Sequence, residues 1–226
     1  MAVAAAAAAG APTAPAAYAA IGALLAGRID DVWGSGASRG LRGHLGVLRR
    51  GRLTTGTAKI ALLTATGALT ALAARGTYAA GASSASAQPT LDVISVAGCV
   101  AFGANLANLF DLRPGRALKV ALAATLPFTL AESAGSPVLT GVASAAMAWL
   151  PVDLAERAML GDTGANPTGA LTGLGLAMST GPRGRWLLLA GMLALTAASE
   201  AVSFSRVIRA VAPLRWLDDV GRLELA

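Results

Sequence analysis

The chain has 226 residues, of which 55% are hydrophobic and only 13% charged, with a mean hydropathy of +0.61. That balance excludes a disordered chain, and it excludes an ordinary soluble domain, where about a quarter of residues are charged. The net charge of +6 would suggest nucleic acid in a soluble protein, but in so apolar a chain it points to anionic lipid headgroups and anionic substrates.

In chain order, seven apolar stretches are long enough, or nearly long enough, to cross a bilayer: about 14–29, 60–75, 90–110, 117–133, 137–151, 167–181 and 186–204. Only helices satisfy their own backbone groups in lipid without closing into a barrel, so each stretch reads as a helix. The fold expected is an all-α, polytopic membrane bundle of about seven transmembrane helices, one domain over residues 1–226. Alanine and glycine dominate and aromatics are 4%, which suits helices that approach closely in lipid. The tract from Met1 to Ala9 has no basic residue, so it reads as a lead into a retained first span rather than a signal peptide. Cys99 is the only cysteine and His44 the only histidine, which excludes an internal disulfide and a Cys/His zinc site.

Seven spans sort the basic residues by side. The linkers after spans one, three, five and seven carry Arg28, the run Arg39 to Lys59, Arg113, Arg116, Lys119, Arg157 and the tail arginines. Only Arg75, Arg183 and Arg185 fall on the other side. The basic side reads as cytoplasmic, in a multi-pass plasma-membrane protein.

The acids gather on that same side. Asp30 and Asp31 end the first span, Asp111 follows the third, and Asp153, Glu156 and Asp162 follow the fifth. Carboxylates at a membrane boundary are costly unless paired or bound to a cation. Several converging from separate helices suggest a hard divalent ion, and Mg2+ fits best because it takes one or two carboxylates plus substrate phosphates. Taken singly, each acid is better read as a hydrated helix end. Three segments add to the set. The loop from Arg39 to Lys59 is basic and Gly-rich and holds His44; it suits either anionic lipid or a phosphate cradle. Asn105, Asn108 and nearly Asp111 lie along one helix face, ahead of a break at Pro114-Gly115. Their other role would be hydrogen bonding between helices. Met159-Leu-Gly-Asp162-Thr-Gly-Ala-Asn166 frees an acid between glycines, and Thr163 or Asn166 would serve there as a helix cap.

Together these motifs resemble the polyprenyl-phosphate N-acetylhexosamine-1-phosphate transferases, the superfamily that includes phospho-N-acetylmuramoyl-pentapeptide transferase. The resemblance rests on Asp30-Asp31, Thr55-x-x-x-Lys59, Asn105-Leu-Ala-Asn108-Leu-Phe-Asp111-Leu-Arg113-Pro-Gly-Arg116 and Leu160-Gly-Asp162-Thr-Gly, in that order from about Asp30 onward. It implies an Mg2+-dependent membrane enzyme of cell-envelope glycan synthesis. Such an enzyme moves a sugar 1-phosphate from a UDP-sugar to polyprenyl phosphate and releases UMP. It further implies Asp30, Asp31 and Asp111 as catalytic acids, and Asp162 with Asp31 as metal ligands. The substrate-binding set would be Lys59, Asn105, Asn108, Arg113, Arg116 and His44. The partners implied are the UDP-sugar, the polyprenyl phosphate and membrane lipids; no nucleic acid is expected, and a homodimer is only loosely suggested.

The chain departs from that family in three ways. About 29 residues precede Asp30, where the family has further helices. Leu112-Arg113-Pro114-Gly115 stands where the nucleotide motif often continues to a second Asp. No His follows His44, whereas the family carries a His-rich motif near its C-terminal end. These departures keep a second reading open: a catalytically inactive relative, acting as a membrane scaffold or as a lipid- or nucleotide-sugar-binding partner. A small transporter ranks third, because its polar groups would run through the bilayer depth, whereas the acids here collect at one face with Asp92, Glu132 and Glu200 as the few exceptions.

Overall fold

The computed structural model describes residues 1–34, 54–80 and 89–223, and every regular element among them is a helix. In order these are α1 (Ala2–Ala8), α2 (Thr13–Trp33), α3 (Thr55–Ala73), α4 (Arg75–Ala80), α5 (Pro89–Phe110), α6 (Arg116–Thr129), α7 (Ser136–Leu154), α8 (Gly161–Met178), α9 (Pro182–Ala201), α10 (Phe204–Ala210) and α11 (Ala212–Asp219). A helix stands at each of the seven apolar stretches. The alanine tract does not run into the first of them. It forms the separate helix α1, set off at Gly10, whose φ of 87° is left-handed, and it packs on α7.

Three of these helices, α3, α5 and α7, are long and apolar enough to cross a membrane, and a fourth span arises if α9 is taken together with α10. By length and composition three spans are supported, or four with the bent pair, and the reasons that the other apolar stretches fall short are physical. Fourteen residues of α6 reach about 21 Å, short of a hydrocarbon core of about 30 Å. Helix α2 carries Arg28, Asp30 and Asp31 in its last turns. Helix α8 is a buried centrepiece, enclosed over nearly all of residues 165–178 and packed mainly on α5 and α2. A helix wrapped in protein has no need of a lipid-facing apolar surface, so α8 can hold Asn166, Thr172 and several glycines.

Around α8 the packing relies on small residues. A Cβ on Gly169 would collide with the backbone carbonyl of Gly103 on α5, and one on Gly27 with the backbone carbonyl of Asp162. Such backbone contact is the small-residue packing expected of helices in lipid. The Gly27 approach also brings the end of α2 directly against the start of α8. Helix α5 packs on α3 and α9 as well, α2 on α3, and α7 on α6 and α1.

Candidate functional site

At one end of the bundle the last turns of α2, α5 and α7 meet the first turns of α3 and α8. Local sequence explains why the elements stop there. Helix α3 starts at a reciprocal cap: the Thr57 amide donates to Thr54 Oγ1 at 3.1 Å, and the Thr54 amide to Thr57 Oγ1 at 2.8 Å. This places Lys59 one turn into the helix. Helix α5 ends before the turn through Pro114 and Gly115, where Gly115 takes a φ of 75° and donates its N–H to Asp153 Oδ2 at 2.8 Å. Gly161, with φ 62°, opens α8 immediately before Asp162.

Lys59 is the centre of the site. Its ammonium, almost enclosed, donates to Asp30 Oδ2 at 3.3 Å and to Asp162 Oδ2. The carboxylates of Asp30 and Asp162 also lie within hydrogen-bonding reach of each other. With its amide oriented to suit its neighbours, Asn108 donates to Asp162 Oδ1 and accepts from Lys59 Nζ at 3.1 Å. Two carboxylates against one ammonium leave a net negative charge. The group opens into a cavity of about 280 Å³. Its polar lining includes Asp30, Lys59, Asn105 and Asn108, and its apolar wall includes Ile60, Leu63, Phe102 and Leu109. Asn105 reaches Thr196 Oγ1 of α9 at 3.4 Å across that cavity.

Asp31 has a different task. Its carboxylate accepts the backbone N–H groups of Asp162 at 3.2 Å and Thr163 at 2.9 Å, together with the Thr163 hydroxyl. It caps α8 from another helix and meets the positive end of the helix dipole. Asp111 lies in the turn after α5 and is half-buried, with the Gly161 N–H as a hydrogen-bond donor. Burial pushes its carboxyl up to about 6, assisted by the negative charges of Asp153, Asp162 and Asp31.

Asp31 and Asp162, implied as metal ligands, and Asp111 lie around the start of α8, each with hydrogen-bond partners of its own. Asp31 is committed to the α8 amides and Asp162 to Lys59 and Asn108. Among the described residues no three His, Cys, Asp or Glu side chains are grouped to hold a metal ion. Asp30, Asn108 and Glu200 are among the oxygen donors that line the cavity, with Asp162 beside them across Lys59, a hard set compatible with Mg2+ completed by substrate phosphates.

Arg113 and Arg116 are brought to another place. Arg116, 3% exposed, holds Asp218 of α11 through Nε at 2.6 Å and Nη2 at 2.9 Å, and donates through Nη1 to Ser205 Oγ at 2.8 Å. Arg113 reaches the same carboxylate at 3.4 Å. Both guanidinium groups expected to bind substrate are thus engaged by the C-terminal segment. His44 lies outside the described residues.

The sequence-based set omitted Asp153, Thr163 and Asp218. Thr163 was visible as a cap residue, but its partner on α2 was not. Asp153 stood among the boundary acids, and only its bond to Gly115 gives it a role. Asp218 carried no signal of its own, since an acid near a chain end reads as solvated. No family model, no curated protein and no solved structure matches this chain.

Proposed function

We propose that the protein is an integral membrane phosphoglycosyl transferase, moving a sugar 1-phosphate from a UDP-sugar to a polyprenyl phosphate. The observation that carries this reading is the Lys59–Asp30–Asp162–Asn108 cluster, set at the mouth of a cavity with an apolar wall. A polar, charged mouth on an apolar wall suits an amphipathic ligand whose phosphate is its only polar end. The residues come from the motifs whose order resembles that superfamily.

In this reading an oxygen of the lipid phosphate attacks the sugar-bearing phosphorus of the UDP-sugar. The bond from that phosphorus to the bridging oxygen breaks, and UMP leaves with that oxygen. The reactants are both anions, so their approach needs positive charge at the reacting oxygens. Lys59 supplies one such charge, and exchanges a carboxylate partner for a phosphate as substrate enters. Asn108 orients Asp162 and Lys59 at once. Asp31 holds the first turn of α8, and therefore Asp162, in position. Mg2+ would be held by Asp162 and Asp30, where it would neutralise diphosphate charge. Asp111 contributes negative potential near the α8 end.

The test is UMP release by detergent-purified protein given magnesium, undecaprenyl phosphate and a panel of UDP-sugars. Release that is lost in Asp162→Asn supports the transferase. Binding of UDP-sugars without UMP release supports the non-catalytic partner, a reading favoured by the engagement of Lys59 with both carboxylates. Neither binding nor release removes both.

A further inference from the structure

The C-terminal segment is folded with its polarity reversed. In a helix lying on a soluble protein the apolar face turns inward. In α11 the single buried residue is Asp218, while Leu214, Trp216 and Leu217 are exposed. Val207 of α10, with Val211 and Val220 beside the two helices, is exposed as well. The inward grip is polar. Arg116 and Arg113 hold the Asp218 carboxylate, and Lys119 Nζ donates to the Leu217 and Asp218 carbonyls at 2.9 and 2.8 Å. Phe204 adds a stacked contact on Phe110, with ring centroids 5.0 Å apart.

The outward face combines those apolar side chains with Arg206, Arg209 and Arg215, all exposed and none of them in an ion pair with a carboxylate among the described residues. The backbone turns by 91° between α9 and α10. If α9 runs across a bilayer, α10 runs along the bilayer surface. The turn lies at the end of α9 where Thr196, Ser199 and Glu200 line the same cavity as Lys59.

We propose that residues 204–223 form an interfacial seat that lies on an anionic lipid surface. Leu214, Trp216 and Leu217 enter the headgroup boundary, and Arg206, Arg209 and Arg215 meet lipid phosphates. Exposed apolar groups interleaved with arginine are the chemistry of an in-plane membrane helix, and Trp favours the interface itself. Juxtamembrane arginines gain further from the negative potential of an anionic leaflet. The grip on Asp218 fixes which face points outward, so the seat is preformed before lipid is met. This inference does not depend on the transferase reading.

The experiment places a nitroxide at Leu217→Cys, at Leu214→Cys and, as an aqueous reference, at Leu112→Cys of the full chain; native Cys99 is buried. The protein is reconstituted in vesicles of phosphatidylcholine alone or mixed with phosphatidylglycerol. The expected result is a severalfold higher ratio of oxygen to nickel-chelate collisions at 214 and 217 than at 112. The ratio should rise further with phosphatidylglycerol, and that increment should vanish when Arg206, Arg209 and Arg215 are all changed to Gln. Equal access of the nickel chelate to all three labels in both vesicles would overturn the proposal. So would dipolar broadening at 217 showing a second copy there, or shielding only when a soluble protein is added. Retained Trp-to-lipid quenching by brominated phosphatidylglycerol in the wild-type chain, reduced in Trp216→Phe, gives an independent reading without a label.

Discussion

Two charged clusters sit at opposite ends of α5, and they differ in kind. Near the N-terminal end Arg185 of α9 meets Asp92 at 2.8 Å, with side chains only 1% and 8% exposed. Near the C-terminal end Lys59 meets two carboxylates, Asp30 and Asp162, which are 29% and 23% exposed, and Lys59 and Asp30 line a cavity. In the first the charges are matched and sealed, so the pair acts as a joint between α5 and α9. In the second one cation faces two anions beside a space, so the balance can be completed by something that enters. Sealing and charge balance, more than the presence of ionised groups, separate a joint from a site.

The largest effect expected from breaking this contrast is at the joint. Arg185→Met leaves Asp92 buried without its guanidinium partner, at a cost of about 3–5 kcal/mol. Thermal unfolding in detergent should show that loss, and any fall in activity should track the amount of folded protein. Asp162→Asn should act in the opposite manner. UMP release should fall on the order of 100-fold or more, about 2.7 kcal/mol in the barrier, with the unfolding temperature nearly unchanged. If Asp162→Asn unfolds the protein as Arg185→Met does, the two clusters are alike and the contrast fails.

A smaller effect is expected at the helix cap. Asp31→Ala removes the acceptor for the Asp162 and Thr163 amides and should cost about 1–2 kcal/mol. It should also lower activity less than Asp162→Asn does, because it displaces the site without removing a group from it. Amide exchange at residues 162–164 would register the fraying directly. An Asp31→Ala variant as inactive as Asp162→Asn would show that Asp31 acts in the reaction and not only as a cap.

The smallest effect concerns a third cluster, Arg116 with Asp218. The bond to the Arg116 guanidinium is the main reason that the Asp218 carboxyl lies below its ordinary value, with Arg113 and Arg222 adding to it against burial. A depressed carboxylate stabilises the folded form fully above its unfolded pKa of about 3.9, and that contribution is lost as pH falls through the lower folded value. The C-terminal segment should therefore stay docked at neutral pH and loosen only under acid, below about pH 4. Mobility of a label at residue 217 followed from pH 7 to 3 should show the change, and Asp218→Asn should abolish its pH dependence. Loosening between pH 5 and 7 would contradict the assignment to Asp218.

Much of the helical layout was legible in the sequence, because long apolar runs in a chain with few charges leave little alternative to helices. The ends were less so. The run expected over 60–75 begins at Thr55, since the reciprocal Thr54–Thr57 cap adds a turn. The run expected over 167–181 begins at Gly161, since a carboxylate from α2 caps it. A cap within the same helix can be read locally; one supplied from 131 residues away cannot.

The span count went the same way. Hydropathy marks an apolar run without saying whether lipid or protein surrounds it, and the run in α8 is enclosed by its neighbours. The site was legible in part. Its acids, Lys59 and Asn108 were all identifiable as types that handle phosphate. By itself, the sequence determined which residues carry charge and that most of them collect at one end of the helices, because spacing along a helix sets the end on which a residue falls. Only the tertiary structure decided the pairing. Lys59 lies between Asp30 and Asp162, Asp31 caps α8, and Arg116 holds Asp218, because partners are chosen by which helix faces meet and how closely glycines such as Gly27 let them approach.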